Sequence, residues 1–168
     1  MYRIGDLAVY GIHGVCRIVG TEQKVVDRKE VTYLALEPVT KADSRFLVPT
    51  HNAVAMAKLR PLHSAGEWKT FWQSEDMMAG EWILDDNRRK QAYRDLMAAG
   101  DTMAMAKMVY QVQQHKERVF AAGKKFHQCD DTFLRDAQRL IAGEMSVAME
   151  MEFSDALQYL REKIKKDA

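Results

Sequence analysis

The 168-residue chain is predicted to be an α+β protein, a small β-barrel followed by an all-α helical bundle. Three observations predict it. Apolar residues alternate with period two from Tyr2 to about Leu59. From about Ser64 onward they recur at i, i+3, i+4 and i+7. No internal repeat or low-complexity tract interrupts either pattern. The change of period near Arg60 divides the chain into expected domains 1–60 and 61–168.

In the first half, "LAVY" (7–10), "VCRIVG" (15–20), "VTYLAL" (31–36) and "RFLVP" (45–49) are short runs rich in β-branched and aromatic residues. Gly11 to Gly14, Asp27-Arg28-Lys29 and Lys41-Ala42-Asp43-Ser44 separate them as turns. Four or five strands at this spacing describe a strongly bent barrel of the SH3 or Tudor kind. Gly11 and Gly14 suit the tight reversal between the first two strands.

In the second half, Ser64-Ala-Gly-Glu67 reads as a capping box that opens a helix with Trp68, Phe71 and Trp72. A longer helix is predicted from about Trp82 to Ala99, ended by Gly100, and Asp101 is placed to cap the next. That third helix shows Met105, Met108, Val109 and Val112 on one face. Gly123 breaks the pattern before the loop "GKKFHQCDD". Leu134, Ala137, Ile141, Met145 and Ala148 stripe a fourth helix, and Ser154 is expected to cap a fifth.

Composition is that of a globular protein, 47% hydrophobic and 29% charged. No apolar run approaches the roughly 20 residues that span a bilayer. Met1-Tyr2-Arg3 leads directly into alternation, so no signal peptide is expected. The two cysteines, Cys16 and Cys129, are then expected as free thiols in a reducing cytoplasm. Net charge is +1, but its distribution is uneven. Residues 88–125 hold nine basic and three acidic side chains. That +6 segment is either a footprint for phosphates or a set of solvated helix faces.

Motifs for catalysis are missing from the sequence: it has no phosphate loop, dinucleotide fingerprint or nucleophile elbow. His13-Gly-Val-Cys16 and His127-Gln-Cys129 have zinc-like spacings, yet they fall in different expected domains, and no metal is expected. His115 and His127 read as solvated, and Asp85-Asp86 as an acidic helix start. Met103, Met105, Met108, Met145, Met149 and Met151 read as core packing, with a plastic binding groove as the alternative. The protein is expected to be no enzyme, without cofactor or small-molecule substrate.

"IGDLAVYGIHGVCRI" (4–18) closely resembles the start of the CarD/CdnL family of bacterial transcription regulators. "YLAL" (33–36), "FLVPTHN" (46–52), "RRKQAYRDLMAAGD" (88–101) and "AQRLIAGEMSVAM" (137–149) follow in that family's order and spacing. The resemblance implies a Tudor-like amino-terminal domain that docks on the RNA polymerase β subunit by extending a sheet through an edge strand. It also implies a helical domain that touches promoter DNA at the upstream edge of the melted region. Carried residue by residue, the docking strand falls on Arg45, Phe46, Leu47 and Val48, with a further basic contact at Lys24. The DNA-facing set falls on Arg88, Arg89, Lys90 and Arg94, on Lys124 and Lys125, and on Trp82 as a minor-groove wedge.

This chain departs from the family at several points. Leu47 stands where an arginine is common, and Gly11 where a proline is. The loop with Lys124 and Lys125 looks inserted. The family's wedge position counts to near Asp86, one helical turn after Trp82, so Trp82 has two readings, wedge or core. The function implied is a non-enzymatic regulator that favours or stabilises the open promoter complex, cytoplasmic and nucleoid-associated through polymerase. The alternative is an adaptor that uses the same barrel edge without touching DNA.

Overall fold

The structure is a computed structural model that describes residues 1–165; the last three residues of the expected helical domain lie outside the described residues. The chain divides into two compact units, Met1–Leu62 and His63–Ala168.

In the first unit, strands β1 (Leu7–Tyr10), β2 (Val15–Val26), β3 (Lys29–Pro38), β4 (Phe46–Pro49) and β5 (Leu59–Arg60) form one sheet. All neighbours are antiparallel, in the order β4-β3-β2-β1-β5. Side-chain alternation sends Ala8, Cys16, Ile18, Leu34, Leu36, Val48 and Leu59 into one core. A register shift between Ile18 and Gly20 bends β2. A one-turn helix, α1 (Ala53–Met56), capped by Asn52, packs Ala55 and Met56 against that core. This bent sheet with its small helix is a Tudor-like β domain.

Two strands depart from the sequence prediction. β2 runs on to Val26, because its distal half and that of β3 form an exposed two-stranded hairpin with no buried face to impose alternation. Asp27 and Arg28 turn that hairpin, both with positive φ (50° and 63°), as a primed two-residue turn requires. β5 has only two residues, too short for any periodicity, and exists because Leu59 and Arg60 pair with Tyr10 and Val9.

The second unit holds α2 (Ala65–Gln73), α3 (Asp86–Ala99), α4 (Thr102–Ala121), α5 (Gln128–Ala148) and α6 (Phe153–Ile164). Ser64 and Glu67 form the expected capping box, Gly100 ends α3 in the left-handed region and Asp101 caps α4. α3 starts at Asp86 and not at Trp82, since the Asp85 carboxylate accepts from the Arg88 N–H and fixes the cap there. α5 starts at Gln128, inside the predicted loop. α6 is entered from Glu152, so Ser154 lies within the helix and not at its cap.

Trp68, Phe71, Trp72, Met105, Val109, Val112, Leu134, Ile141, Met145 and Leu160 are part of the helical core. Met103, Met149 and Met151 pack against it half-buried, so the methionines serve the core. The buried Glu144 of α5 accepts from the His63 N–H at 2.7 Å and the Thr102 hydroxyl at 2.6 Å, and His63 Nδ1 lies 3.0 Å away. One carboxylate thus ties the start of this unit to α4 and α5.

Candidate interaction surfaces

β4 ends the sheet: β3 occupies one side of it, and no strand pairs with the other among the described residues. Its side chains alternate. Val48 is 0% exposed and Phe46 packs against the core, while Leu47, across from Ala35, is half-exposed on the opposite face. Within the expected docking strand Val48 is held by the core, so only its main chain is open to a partner. Arg45 is exposed, and its Nη1 donates to Glu22 Oε1 at 2.8 Å. Lys24 Nζ lies 4.0 Å from Glu22 Oε2. Both cations therefore converge on one carboxylate. In water such pairs are weak, so the two side chains are free to change partner.

An aromatic group missed from the sequence lies beside this strand. The His13 ring sits 4.0 Å from Phe46 and stacks on Tyr10 at 5.5 Å. Burial and then the nearby Lys58 hold the His13 pKa below its ordinary value, which favours the neutral ring. The exposed Ile12 stands next to it. The His-Gly turn was the only trace of this cluster in the sequence, and it carried no period.

In the helical unit, the basic run at the start of α3 divides. Arg88 is exposed and Lys90 half-buried, but Arg89 is 2% exposed. Its guanidinium donates to both carboxylate oxygens of the buried Asp130 at 2.9 and 2.8 Å, to Asp86 at 2.8 Å and to the Ile83 carbonyl at 2.9 Å. Arg89 is thereby corrected from a phosphate contact to a buried pin between α3 and α5.

Trp82 belongs to the same pin. The Arg89 guanidinium lies 4.4 Å from its ring centroid and the His115 ring stacks on it at 3.8 Å. Both groups thus lie in close contact with the indole. It is half-buried against the helical core, and the packing reading is the one its surroundings fit. Burial, then the Arg89 charge, lowers the His115 pKa, so the stacked imidazole favours its neutral form.

Leu84, which sequence reasoning passed over, is 86% exposed two residues before α3. A leucine at the end of the short apolar run Trp82-Ile83-Leu84 carries no periodic signal. Arg88 and Arg94 are exposed on α3, and Lys124 and Lys125 are exposed on the loop. His127 Nε2 lies 3.6 Å from Asp86 Oδ2, which brings that loop to the first turn of α3. The acidic neighbours Glu81 and Asp85 are exposed too. Among the described residues no three His, Cys, Asp or Glu gather as for a metal ion, and no helix is long and apolar enough to cross a membrane. Cys16 is buried, and burial raises its thiol pKa to about 11.

A small Tudor-like domain with an unpaired edge strand offers a template on which a partner's strand can add. Residues 2–61 match the family model of the CarD-like/TRCF RID domain. The amino-terminal domain is thus a CarD-like one of the RNA polymerase-interacting kind, which supports an RNA polymerase-interacting, transcription-related role for the protein.

Proposed function

We propose that this protein is a non-enzymatic regulator that docks on the RNA polymerase β subunit through β4 and contacts promoter DNA with its helical domain, stabilising the open complex. The observation that carries the docking is the unpaired edge of β4 inside a domain of the polymerase-interacting family. A partner strand added there gains main-chain hydrogen bonds, while Leu47 supplies apolar contact and Arg45 and Lys24 supply charge. Such a role places the protein in the cytoplasm, on the nucleoid.

For DNA, Arg88, Lys90, Arg94, Lys124 and Lys125 are the phosphate contacts, and Leu84 takes the role first considered for Trp82. Minor-groove binders insert leucine as readily as aromatic residues between base steps. Leu84 is exposed, one turn before the exposed Arg88, whereas Trp82 is committed to Arg89 and His115. The adaptor reading, docking without DNA, draws its support from the acidic Glu81, Asp85 and Asp86 and from the loss of Arg89 to the interior.

Open-complex lifetime separates the two. Added wild-type protein is expected to lengthen it, and Leu84→Ala to remove most of that effect while the fold and polymerase binding are retained. An unchanged lifetime and an unchanged promoter footprint with wild-type protein would establish the adaptor.

A further inference from the structure

We propose that the helical domain carries a site for a small phosphate-bearing ligand, in the cleft that α4, α5 and α6 form around Lys116, Arg135 and Arg161. The cleft holds about 330 Å3, within the range of roughly 300–1,000 Å3 of pockets that take small molecules. Lys116, Arg135, Arg161 and Lys165 line it, and Asp131 is the one carboxylate among its lining residues. The excess is three positive charges.

Asp131 is already engaged. Lys116 Nζ donates to its Oδ1 at 2.7 Å, and Arg135 Nε lies 3.3 Å from its Oδ2. It therefore holds these two cations at the wall while cancelling only one of them. Arg161 is aligned through Nε, which donates to the Oε1 of the buried Gln138 at 3.4 Å. The Nη groups of Arg161 have no carboxylate at ion-pair distance among the described residues.

A recess with low-dielectric walls and one sign of charge focuses the field on an anion. Guanidinium forks match the paired oxygens of a phosphate better than a spherical halide ion. The volume fits a di- or triphosphate chain, free or as the tail of a nucleotide. The convex backbone of a duplex reaches only the rim. The site makes no use of Leu84, Arg88, Lys124 or Lys125, so it does not rest on the DNA reading.

Calorimetric titration of the full chain with inorganic tripolyphosphate, and separately with ATP, tests the proposal. Saturable one-to-one binding of tripolyphosphate is expected, weakened by about tenfold or more in Arg135→Gln/Arg161→Gln. Arg161→Lys keeps a charge at the site and is expected to retain binding better than the double variant. Arg88→Gln is expected to bind as wild type. Tighter binding of ATP assigns the chain to a nucleotide, and equal binding assigns it to a free polyphosphate. The proposal is overturned by no saturable binding up to about 10 mM, by equal binding in the double variant, or by displacement of tripolyphosphate by a short DNA duplex.

Discussion

Arg88 and Arg89 are neighbours in sequence with opposite duties. Arg89 and Asp130 are 2% and 1% exposed, and Asp130 would be an uncompensated buried charge without Arg89. Removing one partner of such a pair costs about 3–5 kcal/mol. Arg89→Ala is therefore expected to lower the unfolding free energy of the helical domain by about that amount, and Arg88→Ala by less than about 0.5 kcal/mol. Chemical denaturation of the two variants checks the contrast, and equal stabilities would remove the pin. Alanine at 88, 89 and 90 together would confuse unfolding with lost DNA contact. His115 gives a second residue-scale test. Its folded pKa lies below the unfolded value of about 6.5, because burial and then Arg89 disfavour the imidazolium, with Arg118 and His127 adding to this and Asp130 opposing it. The folded state thus takes up the proton less readily. The stability this gives is present above the unfolded pKa and is lost as pH falls through the folded one. Wild type is expected to lose stability relative to His115→Phe between about pH 7 and pH 5. The His115 Cε1–H resonance is expected to titrate below its ordinary range, and a midpoint at or above that range would refute the assignment.

At the scale of elements, β4 is the strand through which docking is proposed. Leu47→Glu is expected to weaken binding to a polymerase β-subunit fragment by at least about tenfold, because it places a charge where the proposed interface is apolar and desolvated. The half-exposed position lets the domain keep its fold. A pull-down of wild-type strength by a folded variant would put the docking strand elsewhere. The elements most legible in the sequence were those with one buried face or a strong local signal. The stripe of Leu134, Ala137, Ile141 and Met145 marks α5, and Ser64 and Glu67 mark the start of α2. Those set by tertiary partners were not legible. β5 needs β1, the distal β2–β3 hairpin has no core face, and the start of α3 depends on which of several acidic residues takes the Arg88 N–H. The same division holds at the surfaces. Alternation showed where β4 lies, but a basic run cannot show which of its arginines finds Asp130, 41 residues away.

For the whole molecule, a net charge of +1 means that any affinity for DNA comes from local clusters. With Arg89 internal and Lys116 engaged by Asp131, Arg88, Lys90, Arg94, Lys124 and Lys125 remain for phosphates. Engagement of three to five of them gives a slope of log affinity against log salt of about −3 to −4. Arg88→Ala/Lys124→Ala is expected to bring that slope about two nearer zero with little change in sequence preference. Titration of the full chain with duplex DNA at several salt concentrations measures it, and a slope unchanged in the double variant would move the contacts away from α3 and its loop.

The free edge of β4 has one more consequence, for how copies of the protein behave toward each other. An unpaired edge attracts any strand, including the same strand of a second copy. Here the edge is four residues long, with the charged Arg45 just before it and Pro49, which lacks an N–H, at its end. Short length, a flanking charge and proline are the devices that keep sheet edges from fusing. Those devices disfavour pairing of the strand with its own copy, which offers neither pockets nor complementary charge. On the proposed role, copies in excess of polymerase are accordingly expected to stay dispersed.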